Sequence, residues 1–171
     1  PIEQEGTYPL PEAQIDRFML KLNISYLEPH EELEIINRMG GTEKKINLKP
    51  VAEPEDILRA REAVDAIFID EKLKQYIVNI IFSTRFPEKY GLPELKDLIK
   101  MGSSPRATLS LVIASKAHAF LNSRGYVIPE DIKAIGIDVL RHRIMPSYEA
   151  EAEDIKPEYI VHKILNKIPI P

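Results

Sequence analysis

Four prolines constrain this chain more than any other feature. Pro54, Pro105, Pro129 and Pro157 each head a stretch whose apolar residues recur every three or four positions. Proline has no N–H to donate and its φ is fixed, so it fits the first turn of an α-helix and breaks a helix at any later point. Each of the four therefore marks a helix start. After Pro54, Glu55 and Asp56 suit the positive end of the helix dipole, and Ile57, Ala60, Val64, Ile67 and Phe68 share one face. After Pro105 the stripe is Leu109, Ile113, Ala117 and Phe120, ending before Gly125. After Pro129 it is Ile132, Ile135, Val139 and Leu140, and after Pro157 it is Ile160, Val161, Ile164 and Leu165. A further helix, capped by Asp70, carries Leu73, Tyr76, Ile77, Ile80 and Ile81 to about Arg85, before Pro87 and Gly91 end it. Residues 93–101 add one short helix, and 149–154 read as an acidic turn. Helices with short links and one apolar face each pack as a small bundle.

The part before Pro50 reads differently. Residues 1–11 are too rich in proline and glycine for regular structure, and 12–18 form a short helix. Phe18, Leu20, Leu22 and Ile24 then alternate with Met19, Lys21 and Asn23, the period of a strand. Residues 45–48 offer one more short strand, and two strands are too few for a sheet stable on its own. Residues 1–49 thus look like the end of an α/β unit whose beginning is missing. The expected fold is mainly α, with a helical bundle over 50–171 preceded by that α/β remnant. A first residue that is proline rather than methionine suits a fragment or a processed product.

Composition narrows the chemistry. A net charge of −4 argues against a general nucleic-acid-binding surface, and the stretch 105–144 lacks the basic helix face a DNA-binding helix pair needs. The absence of cysteine excludes disulfides, thiolate catalysis and cysteine-type zinc sites. His30, His118, His142 and His162 lack metal-ligand spacing, so no metal site is expected; His118 and His162 read as helix-surface residues. No apolar run approaches the ~20 residues that span a bilayer, and no charged-then-apolar leader opens the chain, which fits a cytoplasmic protein without membrane insertion.

The stretch of most chemical interest runs from Lys100 to Ala107. Ser104 reads as an N-cap, Pro105 as the first helical residue and Arg106 as a cation in the first turn, facing the positive end of the dipole. Either Arg106 is simply solvated, or the helix start, the serines and the arginine together receive an anion such as phosphate. Ile67-Phe68-Ile69-Asp70-Glu71 resembles a magnesium-binding pair after a strand. Its apolar residues continue a helical stripe, however, and Asp70 suits a cap, so the structural reading is preferred. No Gly-x-x-x-x-Gly-Lys-Ser/Thr occurs. Arg141-His142-Arg143 is a set of cations at a helix C-terminus. Glu3, Glu5 and Glu12 have no partner that gives them acid or base roles. Asp16-Arg17 falls between a helix and a strand, either a local ion pair or a functional pair at a sheet's end.

The opening eighteen residues, Pro1 to Phe18, resemble the segment after the sensor-1 asparagine in MoxR-family AAA+ ATPases. Thr84-Arg85, Gly102-Ser103-Ser104-Pro105-Arg106-Ala107, Gly125 to Ile132 and Val139-Leu140-Arg141-His142-Arg143 resemble that family's lid motifs in the same order. The resemblance covers residues 1 to about 145 and implies the end of an AAA+ core over 1–49 and a helical lid over 50–171. It further implies that Arg17 stands at the arginine-finger position, reaching the nucleotide of a neighbouring subunit, with Asp16 orienting it. Arg106 stands at the sensor-2 position, approaching the γ-phosphate from the lid of its own subunit, with Ser104 and Pro105 shaping that site. ATP and Mg2+ would be bound by the longer parent, whose phosphate loop lies before Pro1, while this chain alone would not hydrolyse ATP. The partners implied are a homo-oligomeric ring, a hexamer, and protein clients assembled or activated in a chaperone-like way. The stretch 86–100 is longer than the family pattern, which bears on the aim of Arg106. The competing expectation is a non-enzymatic helical module that binds a partner through its exposed faces.

Overall fold

The computed structural model describes residues 10–41 and 48–171. The opening motif through Pro9, with Glu3 and Glu5, and the strand expected from Lys45 lie outside the described residues except at Leu48. Among the described residues the chain is mainly helical: α1 (Glu12–Ile15), α2 (Pro29–Met39), α3 (Pro54–Ala66), α4 (Glu71–Ser83), α5 (Pro105–Leu121), α6 (Pro129–Leu140), α7 (Tyr148–Ala152) and α8 (Pro157–Lys167). Two short strands, β1 (Ile99–Met101) and β2 (Met145–Pro146), pair antiparallel.

The start signals work as expected. Pro54, Pro105, Pro129 and Pro157 all stand in first turns. Asp70 caps α4 by accepting from the Lys72 N–H at 2.8 Å, so the Asp-Glu pair at 70–71 has the structural role preferred for it. Helix α2 carries the same signature in the part expected to be α/β: Pro29 opens it and the Glu31 carboxylate accepts from the Glu28 N–H at 2.8 Å.

The core lies between α4, α5, α6 and α8. Tyr76, Ile77, Ile80, Ile81, Leu111, Ile132, Val139, Leu140, Ile160, Val161 and Ile164 are essentially without solvent contact. Removing each such aliphatic side chain from water stabilises the fold by about 1.5–3 kcal/mol. Helix α5 runs through the middle, against α3, α4 and α6, and here the expected stripe is corrected. Its buried positions are Ala107, Ser110, Leu111, Ala114, Ser115 and Ala119, while Leu109 and Ile113 are 65% and 47% exposed. Small side chains let flanking helices approach closely, so the small-residue face turns inward and the bulkier stripe outward.

Four other expectations give way to tertiary contacts. The residues from Phe18 to Ile24 form no strand. The Phe18 and Met19 carbonyls are turned onto the Arg143 guanidinium, and the Lys21 N–H donates to the Asp138 carbonyl at 2.9 Å, so the groups that would pair in a sheet are spent on α6 and its end. The stripe from Pro54 stops at Ala66 rather than running through Phe68. Phe68 bridges to the 125–127 turn, donating to the Gly125 carbonyl and accepting from the Val127 N–H, which buries Ile67 and Ile69 and leaves Phe68 exposed. Residues 93–101 are not a helix but a 3-10 turn (Pro93–Leu95) followed by β1. Leu92 and Leu95 anchor this stretch in the core, and β2 draws its end into a pair. Residues 149–154 lie mostly in α7, because Ser147 caps a helix there by accepting from the Ala150 N–H.

Candidate functional site

The Gly102–Arg106 loop is held from both ends. Thr84 Oγ1 accepts from the Ser103 N–H at 2.9 Å and Arg85 Nε donates to the Ser103 carbonyl at 2.7 Å, so the Thr84-Arg85 pair grips one residue of the loop by both its main-chain groups. Close approach requires glycine next door: a Cβ on Gly102 would lie 2.4 Å from the Thr84 carbonyl oxygen. On the other side, β1 pairs with β2, and Ser147 donates to the carbonyls of Leu98 and Asp97. The end of the 86–100 stretch is thereby fixed to the body that carries Arg106.

Ser104 caps α5, its Oγ accepting from the Arg106 N–H at 3.2 Å. The same hydroxyl lies 2.8 and 2.9 Å from the two oxygens of Asp16, to which it gives its proton. Asp16, at the end of α1, also takes Arg106 Nη1 at 3.4 Å and Arg143 Nε at 3.3 Å. Two guanidinium groups thus share one carboxylate at the positive end of a helix. The cluster keeps an excess of positive charge, and Arg106 remains 56% exposed on a long contact. Pro105 supplies no side-chain polar group; it sets the first turn from which Arg106 projects.

Arg143 is the most enclosed member, its side chain 1% exposed. Nη1 donates to the Val139 carbonyl at 2.5 Å and the Met19 carbonyl at 3.1 Å; Nη2 donates to the carbonyls of Phe18 at 2.6 Å and Asp16 at 3.1 Å and to Ser110 Oγ at 3.1 Å. Burial pulls its acidity toward deprotonation, but the Asp16 charge and hydrogen bond oppose this and a guanidinium stays protonated. The dipole role expected for the Arg141-His142-Arg143 set is therefore a small part of what Arg143 does. His142 Nε2 lies 3.0 Å from the Phe18 carbonyl; burial first, and then the Arg143 and Lys21 charges, lower its pKa, against the Phe18 bond and Asp16.

A cleft of about 410 Å3 opens beside this cluster, between α1 and the β1–β2 pair, with Ile15, Asp16, Gly102, His142, Ile144 and Met145 among its walls. Arg17 lies outside it, exposed, beside Leu10, Gln14 and Phe18. Among the described residues the Asp16 carboxylate does not bond Arg17. It bonds Ser104, Arg106 and Arg143, so the local pair suggested by adjacency is replaced by contacts nearly ninety and more residues away in sequence. Asp16 and Arg17 lie in the turn after α1, where the Asp16 carboxylate meets groups on other elements. Arg143 was readable in the sequence only as one of three cations, because burial of its guanidinium depends on where α1 packs.

A second buried charge anchors the far end of α6. Asp131, without solvent contact, takes Arg124 through both oxygens, the Ile128 N–H at 2.8 Å and His118 Nδ1 at 2.6 Å. His118 is accordingly not the plain surface residue expected, though His162 is exposed. Among the described residues no set of three His, Cys, Asp or Glu side chains is placed to hold a metal ion, and no helix is long and apolar enough to cross a membrane.

Fold and motif order together define the class. Residues 95–164 match the AAA lid domain family model. The chain is 42% identical over its whole length to the chaperone MoxR1 of Mycobacterium tuberculosis, covering 45% of that protein, and 37% identical to YeaC of Bacillus subtilis, covering 51%. It also superimposes with a TM-score of 0.94 and 44% identity on a crystal structure from Cytophaga hutchinsonii described as that of an ATPase, covering all of this chain and 52% of that one. The chain spans about half the length of the curated relatives it matches. Together these likenesses support a C-terminal part of a MoxR-type AAA+ protein, as the order of the motifs implies.

Proposed function

We propose that this chain is the nucleotide-responsive C-terminal part of a MoxR-type AAA+ ATPase, with residues 1–49 ending the core and 50–171 forming the lid. The observation that supports this best is the shared Asp16 carboxylate. It ties Ser104 and Arg106 at the start of α5 to the segment that carries Arg17, and it leaves Arg106 exposed, on one long contact, at the positive end of a helix. A phosphate group is the natural second partner for such a cation. In this reading the preceding half of the protein binds ATP and Mg2+. Arg106 answers the terminal phosphate, and Arg17 completes the site of a neighbouring subunit in a ring, a hexamer. Planar, permanently charged guanidinium groups stabilise charge building on phosphate oxygens, and an arginine supplied by a neighbour is worth about 10³ to 10⁵ in rate in other nucleotide hydrolases. Movement of the lid on hydrolysis would act on protein clients, in a cytoplasmic setting and without nucleic acid.

The test is ATP turnover by the longer native protein and by its Arg106→Ala and Arg17→Ala variants. Loss of most of the rate in both, with unfolding temperatures unchanged, is the expected result. The outward face of α5, with Leu109 and Ile113 exposed, favours the competing reading of a helical interaction module. Turnover that is absent in the parent, or equal in parent and variants, would select that reading.

A further inference from the structure

Arg17 is exposed, and its position is set by the main chain on either side of it. That main chain is unusual: the carbonyls of Asp16 and Phe18, which flank Arg17 directly, and of Met19 next to them all converge on the guanidinium of Arg143. The five N–H groups of one arginine are fully engaged here, since the same side chain also meets the Asp16 carboxylate, the Val139 carbonyl and Ser110 Oγ. His142 adds a contact to the Phe18 carbonyl at 3.0 Å. The clamp reaches from Arg143, just past the end of α6 and braced by Ser110 of α5, to a stretch of chain more than 120 residues before Arg143.

We propose that Arg143 is the positioning residue for Arg17: by holding the carbonyls on both sides of it, the buried guanidinium fixes the backbone from which Arg17 reaches a nucleotide. This rests on the nucleotide role proposed above for Arg17. A lysine cannot take the place of Arg143, because a single ammonium offers three donors from one point, whereas the carbonyls of residues 16, 18, 19 and 139 are met by a planar fork. Because Asp16 also holds Arg106, a shift of the lid helices α5 and α6 is carried to the 16–19 segment through Arg143 and Asp16 together. The lid and Arg17 therefore move as one body.

The experiment measures kcat and KM for Mg-ATP in the longer native protein with Arg143→Gln, Arg17→Ala and the two combined. Arg143→Gln is expected to lower kcat by at least about tenfold with KM held within about twofold, and the double variant to fall no further than Arg17→Ala alone, the signature of two residues acting as a unit. Arg143→Lys keeps the charge but not the fork. It is expected to stay within about threefold of Arg143→Gln, and it carries the same test if the glutamine variant does not fold. Normal kcat in both Arg143 variants, a rise in KM with kcat intact, or losses that multiply in the double variant would overturn the inference while leaving Arg17 its role. Full turnover by Arg17→Ala would overturn the role of Arg17 and the positioning of it together.

Discussion

Asp131→Asn removes one charge and changes almost no volume, which makes its consequence calculable. Burial alone would push the Asp131 carboxyl up. The Arg124 hydrogen bonds, the Ile128 N–H, His118 and the Arg124 charge outweigh burial and bring its pKa down to about 2 from the ordinary 3.8. At about 1.4 kcal/mol per pH unit this favours the folded state by about 2 kcal/mol. A depressed carboxylate pKa stabilises the fold above the unfolded value, and the contribution is lost as pH falls from about 4 toward about 2. In the variant one oxygen becomes an amide group facing donors already aimed at it, from Arg124 and either Ile128 or His118. That mismatch adds about 1 kcal/mol, so at neutral pH the loss is about 3 kcal/mol, or a fall in Tm of about 6–12 °C for a chain of this size. Urea unfolding across a pH series reads the difference between the two proteins. It is expected to narrow from about 3 to about 1 kcal/mol as pH drops toward about 2. A difference below about 1 kcal/mol at neutral pH, or one that does not change with pH, would refute the account of the Asp131 cluster.

Three further outcomes follow from the site. Burial holds the His142 pKa below 6.5, so this histidine contributes stability that is present above that value and lost as pH falls below it; His142→Gln, which can still donate to the Phe18 carbonyl, is expected to flatten that part of the pH–stability profile. Gly102→Ala puts a methyl 2.4 Å from the Thr84 carbonyl oxygen and is expected to cost about 1–3 kcal/mol in denaturant unfolding, with the Ser103 amide losing its slow hydrogen exchange. Ser104→Ala removes the α5 cap and the Asp16 contact at once, and a fall of about 1–2 kcal/mol in unfolding free energy is expected, against no change if the cap is idle.

Much of the local structure is legible in the residues themselves. Proline in a first turn, Asp70 and Ser104 as caps, and the apolar repeats of α4, α6 and α8 depend on neighbours within a few positions, and those elements form where the pattern puts them. The motif order from Thr84 to Arg143 likewise pointed to the AAA+ lid and the MoxR family, because it is a property of the chain. The face of α5 that turns inward was not legible: Leu109 and Ile113 are as apolar as any core residue, and only the closeness of α4 and α6 selects the small side chains for the interior. The same holds for the residues after Phe18, whose alternation describes a strand but whose carbonyls meet Arg143 before any sheet partner.

The sequence by itself determined where helices begin and which caps hold them, because these rest on dihedral limits and local hydrogen bonds. Tertiary structure alone decided the partners of Asp16 and the burial of Arg143. An ion pair across ninety residues, or a guanidinium enclosed by four carbonyls from two distant stretches of the chain, exists only once packing has excluded water and brought those groups within reach.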